Sequence, residues 1–362
     1  MSPHLKPIER SLASWLVVLL TILTCGSWSL AQSSENMPQA QEPIRVETET
    51  VRVPVVVIAD NEEGKSQLVT NLKRGNFMVY EDGRPQEITS FSSGAEEPLT
   101  LVLLLEDSET VQYLKDEIYR PAGMFVSQIM GNKDYASIIA FDRQPHLLTD
   151  FTRNEQKLLD EVRVIARNPP ALSQGALFDA VKFTLVGGVL DDVEYKGLAG
   201  VKGRTGVILI ASGVDGFSRT NYGEARHIAA NAGVPIYAIG VGERAFIRSS
   251  PYMSGPQRMT FRQAQLQLRT LARESGGRFY SVRFEGAYED VLGSIAQMLR
   301  FQYTLGYVPD RPLTTDEDEE EREITVKVDL DGDGKADEEG VELQYRQKYW
   351  IGNDIEYLPT SR

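Results

Sequence analysis

The sequence predicts an α/β fold: a doubly wound, mainly parallel sheet with helices on both faces, joined to a β-sandwich-like unit made from the N- and C-terminal segments. Between residues 97 and 300, short apolar runs alternate with stretches of helical spacing, the pattern of repeated strand–helix units. On either side, in 44–93 and 302–351, the spacing changes to β-branched, every-other-residue alternation. Neither flank is large enough to close a stable sheet alone, so pooling the two would bury a core.

In the first flank, residues 45–60 carry Val51, Val53, Val55, Val56, Val57 and Ile58 and read as one long strand or two. Residues 76–80 and 86–91 are two more strands, joined by Glu81-Asp82-Gly83-Arg84, and Asp-Gly between alternating runs signals a hairpin. Residues 99–105 are apolar except for Thr100, as a strand covered on both faces requires. Residues 109–130 have helical spacing through Val111, Leu114, Ile118, Phe125 and Ile129, with a kink expected at Pro121. The alternation continues with a strand at 135–141, helices at 154–166 and 175–185, a strand at 206–211, a helix at 221–230 and a strand at 235–241. A helix at 261–274 ends at Gly276-Gly277, followed by a strand at 278–282 and a last helix at 287–300. Strands at 302–307, 323–329 and 341–350 complete the chain.

His4, Lys6 and Arg10 precede a mostly apolar stretch, 12–25, and Ser29-Leu30-Ala31 places small residues where signal peptidase reads. Residues 1–31 therefore read as a secretory signal peptide, and 32–43 as a polar, flexible leader. An uncleaved anchor is the alternative, although the apolar run falls short of the roughly 20 residues a span needs. Cleavage would give a secreted or periplasmic chain with no membrane span. Cys25 is the only cysteine and lies inside the signal, so disulfides, zinc–thiolate sites and cysteine nucleophiles are excluded from the mature chain. A net charge of −14 argues against nucleic acid and anionic lipid as partners and favours cations. The like-charged run Asp316 to Glu321 reads as a solvated loop, with cation capture as the alternative.

Leu101-Val102-Leu103-Leu104-Leu105-Glu106-Asp107-Ser108-Glu109-Thr110 resembles the first strand and metal loop of von Willebrand factor type A (VWA) domains, where a buried strand ends in Asp-x-Ser-x-Ser. Asp134 to Phe141, Gln174-Gly175-Ala176-Leu177-Phe178-Asp179-Ala180 and Ile208-Leu209-Ile210-Ala211-Ser212-Gly213 follow in the order of the family's later landmarks. The flanks, with Val53-Pro54-Val55-Val56-Val57, Phe77 to Gly83, Gln302 to Tyr307 and Lys348-Tyr349-Trp350, are similar to VWFA-related proteins of the acidobacterial type. The resemblance implies a VWA domain over 97–300 and a binding or adhesion role for an unknown protein or envelope partner. It also implies a metal-dependent adhesion site at Glu106, Ser108 and Thr110, binding Mg²⁺. That site is degenerate: Glu106 stands for Asp, Gly175 for the second loop's Thr, and Ser212 for the third loop's Asp. Asp107 and Asp215 lie nearby as substitutes, and Ser108 or Thr110 could instead cap the next helix.

A second constellation stands on spacing alone. Asp329, Asp331, Asp333 and Asp337 occupy positions 1, 3, 5 and 9 of a loop with Gly334 at 6 and the Lys335 carbonyl at 7. Such spacing wraps oxygens around one Ca²⁺. It resembles the Asp-rich loops of integrin-alpha-type propeller blades, and an acidic hairpin turn is the plainer reading. Gly340 at position 12 removes the Glu that a helix-loop-helix hand needs.

Catalysis has little support. His146 and His227 are the only histidines after the signal; both read as ordinary surface residues, and no Gly-x-Ser-x-Gly elbow or phosphate-cradling glycine loop is present. The expectation is a non-enzymatic protein-binding module. A structural envelope-assembly module and a carboxylate-pair hydrolase are the alternatives.

Overall fold

The computed structural model describes residues 50–61, 64–94, 97–128, 130–168, 173–190, 192–313 and 319–352. The expected signal peptide, the leader and 314–318 of the acidic region lie outside the described residues. No described helix is long and apolar enough to cross a membrane.

The chain begins with strands β1 (Val51–Asp60), β2 (Ser66–Leu68), β3 (Phe77–Glu81), β4 (Arg84–Gln86) and β5 (Ile88–Ser93). The central part follows as β6 (Leu99–Glu106), α1 (Lys115–Gln128), β7 (Tyr135–Phe141), β8 (Pro145–Thr152), α2 (Glu155–Arg167), α3 (Leu177–Val186), β9 (Gly188–Leu190), β10 (Val193–Tyr195), β11 (Arg204–Ala211), α4 (Tyr222–Asn231), β12 (Ile236–Gly240), α5 (Glu243–Ser249), α6 (Gly255–Glu274), β13 (Phe279–Ser281) and α7 (Ala287–Phe301). It closes with β14 (Tyr303–Tyr307), β15 (Glu320–Val328), β16 (Val341–Gln344) and β17 (Lys348–Ile351).

The central sheet has the order β13-β12-β11-β6-β7-β8. Its neighbours are parallel except for β7 and β8. Successive side chains of β6 point to opposite faces. Leu101, Leu103 and Leu105 therefore join the cluster under α1, α2 and α7. Val102 and Leu104 join the cluster under α3, α4 and α6. Because both faces are covered, β6 must be apolar throughout, which is why its sequence shows no alternation.

β1 pairs antiparallel with β14 (Val53 opposite Leu305) and with β16 (Val57 opposite Leu343). β14 also pairs with β5, and a second sheet has the order β17-β15-β3-β4. Residues 50–93 and 303–351 thus supply strands to the same two sheets. Val53, Val55, Phe77, Val79, Leu305, Val326 and Tyr349 meet in one cluster. Inside it, Glu81 is 1% exposed and accepts hydrogen bonds from Tyr307 (2.9 Å) and Tyr349 (2.7 Å), with the Arg322 guanidinium 3.4 Å away.

The two sheets attach to the N-terminal ends of the central strands. Arg204, the first residue of β11, donates to the carbonyls of Gly94, Glu97 and Leu299, fastening the entry and exit of the central part together. Arg346 donates to Ala230 (2.6 Å) and Asn231 (3.1 Å), capping α4, and Arg52 reaches Ala199 and Val201. Asn231 exchanges two bonds with the Trp350 backbone. Burial pushes the Arg204 and Arg346 guanidinia down to about 10.

Several boundaries depart from the sequence reading. The expected hairpin forms around Asp82-Gly83, but its second strand divides: β4 stays with β3, and β5 crosses to the other sheet. The expected strand 341–350 divides likewise into β16 and β17. The helix expected from 109 begins at Lys115, after a short turn at Glu109–Val111, and Pro121 lies inside it. Strand β8, the β9–β10 hairpin and α5 carried no reading at all.

Candidate functional site

Parallel pairing brings the C-terminal ends of β6, β7, β11 and β12 to one edge, where open α/β folds place ligands. Glu106 ends β6 there and is 0% exposed. One carboxylate oxygen, Oε1, accepts the Ser108 hydroxyl at 2.6 Å; the other, Oε2, accepts the Ser212 backbone N–H at 2.7 Å. Ser108 is buried, and its oxygen also accepts the Thr110 N–H at 3.2 Å, capping the turn at Glu109–Val111. The structure thus brings Glu106 and Ser108 together, whereas Thr110 joins them through its backbone and is itself exposed. Burial pushes the Glu106 carboxyl above the usual carboxylate range, against the pull of the Ser108 and Ser212 bonds.

From the third loop, the Ser212 side chain also bonds the Glu106 carboxylate. A Cβ at Gly175 would lie 3.3 Å from Phe141 and 3.5 Å from Glu106 Oε1, so the second loop closes over the carboxylate. The two nearby acids are engaged elsewhere. Asp107 accepts the Tyr119 hydroxyl at 2.6 Å; Asp215 accepts the Ser218 hydroxyl at 2.5 Å and the Phe178 N–H at 3.3 Å. Mg²⁺ requires about six oxygens at about 2.0–2.1 Å. A buried carboxylate with both oxygens accepting protein donors, beside a glycine, does not fit that ion.

Next to this loop, Asp142, Arg143, His146, Asp179, Phe217 and Arg219 line a cleft of about 550 Å³. Its acids are occupied: Asp142 lies 2.8 Å from His146 Nε2, and Asp179 accepts the N–H groups of Arg219 (3.0 Å) and Thr220 (2.8 Å). His227 departs from the surface position expected of it. It stacks on Trp350 at 4.4 Å and lies 2.8 Å from Glu319, and burial pushes its imidazole below the usual value.

The acidic loop lies between β15 and β16. One carboxylate oxygen each of Asp329, Asp331 and Asp333 lies within 4.8 Å of the others. Oxygens that close can be reached by a single cation. Asp329 is buried and accepts the N–H groups of Gly332 (2.6 Å) and Gly334 (2.8 Å). Gly332 and Gly334 have φ of +81° and +84°, which L side chains rarely adopt, so glycine sets this turn. Burial raises the Asp329 carboxyl, but the Gly334 and Gly332 bonds outweigh it and hold the group below its usual value. Asp337 accepts the Leu330 N–H at 2.6 Å and is not a member of the three-carboxylate cluster. The Lys335 N–H donates to Asp333 at 2.8 Å.

No protein-family profile matches the chain, and no curated protein matches it. Among solved structures, the chain is similar to proximal thread matrix protein 1 of the mussel byssus, at 15% identity and TM-score 0.39, over 57% of this chain and 49% of that one. It thus spans about half the length of the mussel protein, which has also been solved with a zinc-occupied MIDAS motif. It is similar to BatB from Bacteroides thetaiotaomicron at 16% identity and TM-score 0.38, over 56% and 98% of the two chains. The vWF domain of the type V pili tip protein Mfa5 from Porphyromonas gingivalis matches at 11% identity and TM-score 0.41, over 62% and 100%. These comparisons lend no support to the acidobacterial assignment.

Two features of the site edge escaped the sequence reading. Helix α6 begins six residues before the expected 261, and its signal is legible: Ser254 and Gln257 form a capping box with Pro256 in the first turn. Gln265, which holds the Ser212 carbonyl at 3.0 Å, carried no signal, because only the crossing of α6 over the third loop makes it a neighbour.

Proposed function

We propose that the chain is an exported, non-enzymatic protein-binding module of VWA type. Its two flanking sheets form a sandwich-like base, and its contact face is the loop edge at the C-terminal ends of the central strands. Ca²⁺ binds the loop of Asp329, Asp331 and Asp333, and no divalent ion binds at Glu106. One observation carries this reading: the flanking sheets cover the opposite end of the central strands, and at the loop edge Glu106 is spent on Ser108 and Ser212. A face uncovered among the described residues, with its most buried acid internally satisfied, suits recognition better than turnover or metal capture.

Two measurements test it. The mature protein, immobilised, should retain a partner from envelope extract equally in magnesium and in chelator-treated, calcium-restored buffer, with cross-links at 107–114 and 212–219. Cross-links confined to the flanking sheets, or turnover of a polysaccharide, would defeat the reading. For the loop, an ion at a hundred times its dissociation constant adds about 2.7 kcal/mol to native stability. The melting temperature should therefore rise with calcium in the wild type but not in Asp331→Ala. Identical melting in calcium and in chelator would leave only an acidic turn.

A further inference from the structure

Helix α6 projects beyond the sheet that carries it. Its buried residues begin at Ala264 and continue through Gln265, Leu268, Leu271 and Ala272; residues 255–263 have none. That overhang stands at the loop edge, since Gln265 bonds the carbonyls of Ser212 (3.0 Å) and Val241 (3.4 Å). Phe246 of α5 stacks on Phe261 of α6 at 4.2 Å and ties the two helices into one prong.

The prong differs from the rest of the chain. In a protein of net charge −14, residues 244–269 carry Arg244, Arg248, Arg258, Arg262 and Arg269, and no aspartate, glutamate or lysine; Glu243, the first residue of α5, is the one acid of that helix. Among the described residues ten large apolar side chains are exposed, and four of them, Ile247, Tyr252, Met259 and Leu266, lie here. Arg258 is a strut, donating to the Met253 and Ser250 carbonyls, and Arg244 lies 3.9 Å from Glu117. Arg269 lies over the Phe279 ring at 5.1 Å. Arg248 and Arg262 are exposed and have no ion pair among the described residues. Glu243, Phe246, Phe261, Arg262, Leu266 and Arg269 line a cleft of about 400 Å³ on the prong.

This composition is that of a protein interface. Arginine, tyrosine, phenylalanine and methionine are enriched at such surfaces, and lysine, aspartate and glutamate are depleted. A guanidinium sheds water more readily than an ammonium and grips carboxylates through two parallel bonds. We propose that α5 and the overhanging half of α6 dock a protein partner that presents carboxylates around an apolar centre. The partner's apolar side chains seat against Met259, Leu266 and Phe261, and its carboxylates pair with Arg248 and Arg262. The proposal rests on the reading of the loop edge as the contact face and gives the partner its chemistry.

The probe is a fluorescent amphipathic helical peptide with leucine and phenylalanine on one face and glutamate on the other. Its partners are a copy with glutamine for glutamate, and vesicles rich in phosphatidylglycerol. The full mature chain should bind the glutamate peptide at least about tenfold more tightly than the glutamine copy, with or without chelator. The exposed-residue variants R248Q/R262Q and M259S/L266S should each lose about tenfold while melting like the wild type. Equal binding of the two peptides, or an unaffected arginine variant, would overturn the proposal. Vesicle binding without peptide binding would also overturn it, in favour of a lipid surface. Any of these results leaves the cross-linking test of the loop edge standing, so the two readings fail separately.

Discussion

At the N-terminal end of the central strands, Arg204 and Arg346 are each 1% exposed and donate to backbone carbonyls. At the C-terminal end, Arg248 and Arg262 stand in solvent with no ion pair among the described residues. The residue type is the same, and the environment gives it opposite work. A buried guanidinium is tolerable only where fixed acceptors take most of its donors; Arg204 and Arg346 each leave only the buried Nε without a partner and lock two layers in one arrangement. An exposed one costs nothing to leave unpaired and keeps its donors for a partner. Carboxylates divide in the same way. Glu106 is enclosed and satisfied, whereas Asp331 and Asp333 are exposed beside Asp329.

Breaking the closed end should have the largest effect. Arg204→Ala strands the carbonyls of Gly94, Glu97 and Leu299 where the central part enters and leaves. At about 1–3 kcal/mol for each unsatisfied buried group, the loss should reach about 3 kcal/mol or more in urea denaturation. A loss below about 1 kcal/mol would mean that water replaces the guanidinium and that the joint is not closed.

At the open end, Glu106→Ala leaves the Ser212 N–H and the Ser108 hydroxyl without their acceptor and should cost about 2 kcal/mol. Glu106→Gln retains an acceptor and should cost less, with a diagnostic pH dependence. The folded carboxyl is raised, so the native state holds its proton more tightly than the unfolded chain does. Stability of the wild type therefore falls as pH rises from about 4.3 through the raised value, and E106Q should lack that decline. Asp329 is shifted the other way, so its contribution is lost as pH falls through its depressed value. Parallel pH profiles for E106Q and the wild type would show that Glu106 is not held in a desolvated pocket.

The smallest effect sharpens the contrast. Arg248→Gln and Arg262→Gln should each stay within about 0.5 kcal/mol of the wild type in thermal unfolding. A larger loss would reveal a structural partner and remove that residue from the free set.

Particular residues show how far the sequence reaches. Residues 99–105 announce a strand buried on both faces, because every position but Thr100 is apolar, and β6 spans Leu99–Glu106. Asn154 and Asn221 mark helix starts and do cap α2 and α4. Asp82-Gly83 fixes a hairpin, since the turn is local. The edge strand β8 was missed because its burial is irregular and its register shifts twice against β7.

The sequence by itself determined the strand–helix order, the positions of Glu106, Ser108, Thr110, Gly175 and Ser212 in their loops, and the carboxylate phasing of 329–337. These are properties of neighbours in the chain, governed by side-chain period, backbone freedom and loop length. Tertiary structure alone decided that β1 pairs with strands some 250 and 285 residues later, at Leu305 and Leu343. It alone decided that Arg204 clasps both ends of the central part, and that both Glu106 oxygens meet donors. It alone set the first half of α6 clear of the core. Whether a charged group is free or spent depends on what surrounds it in space, because desolvation and hydrogen bonding act across contacts that sequence distance does not encode.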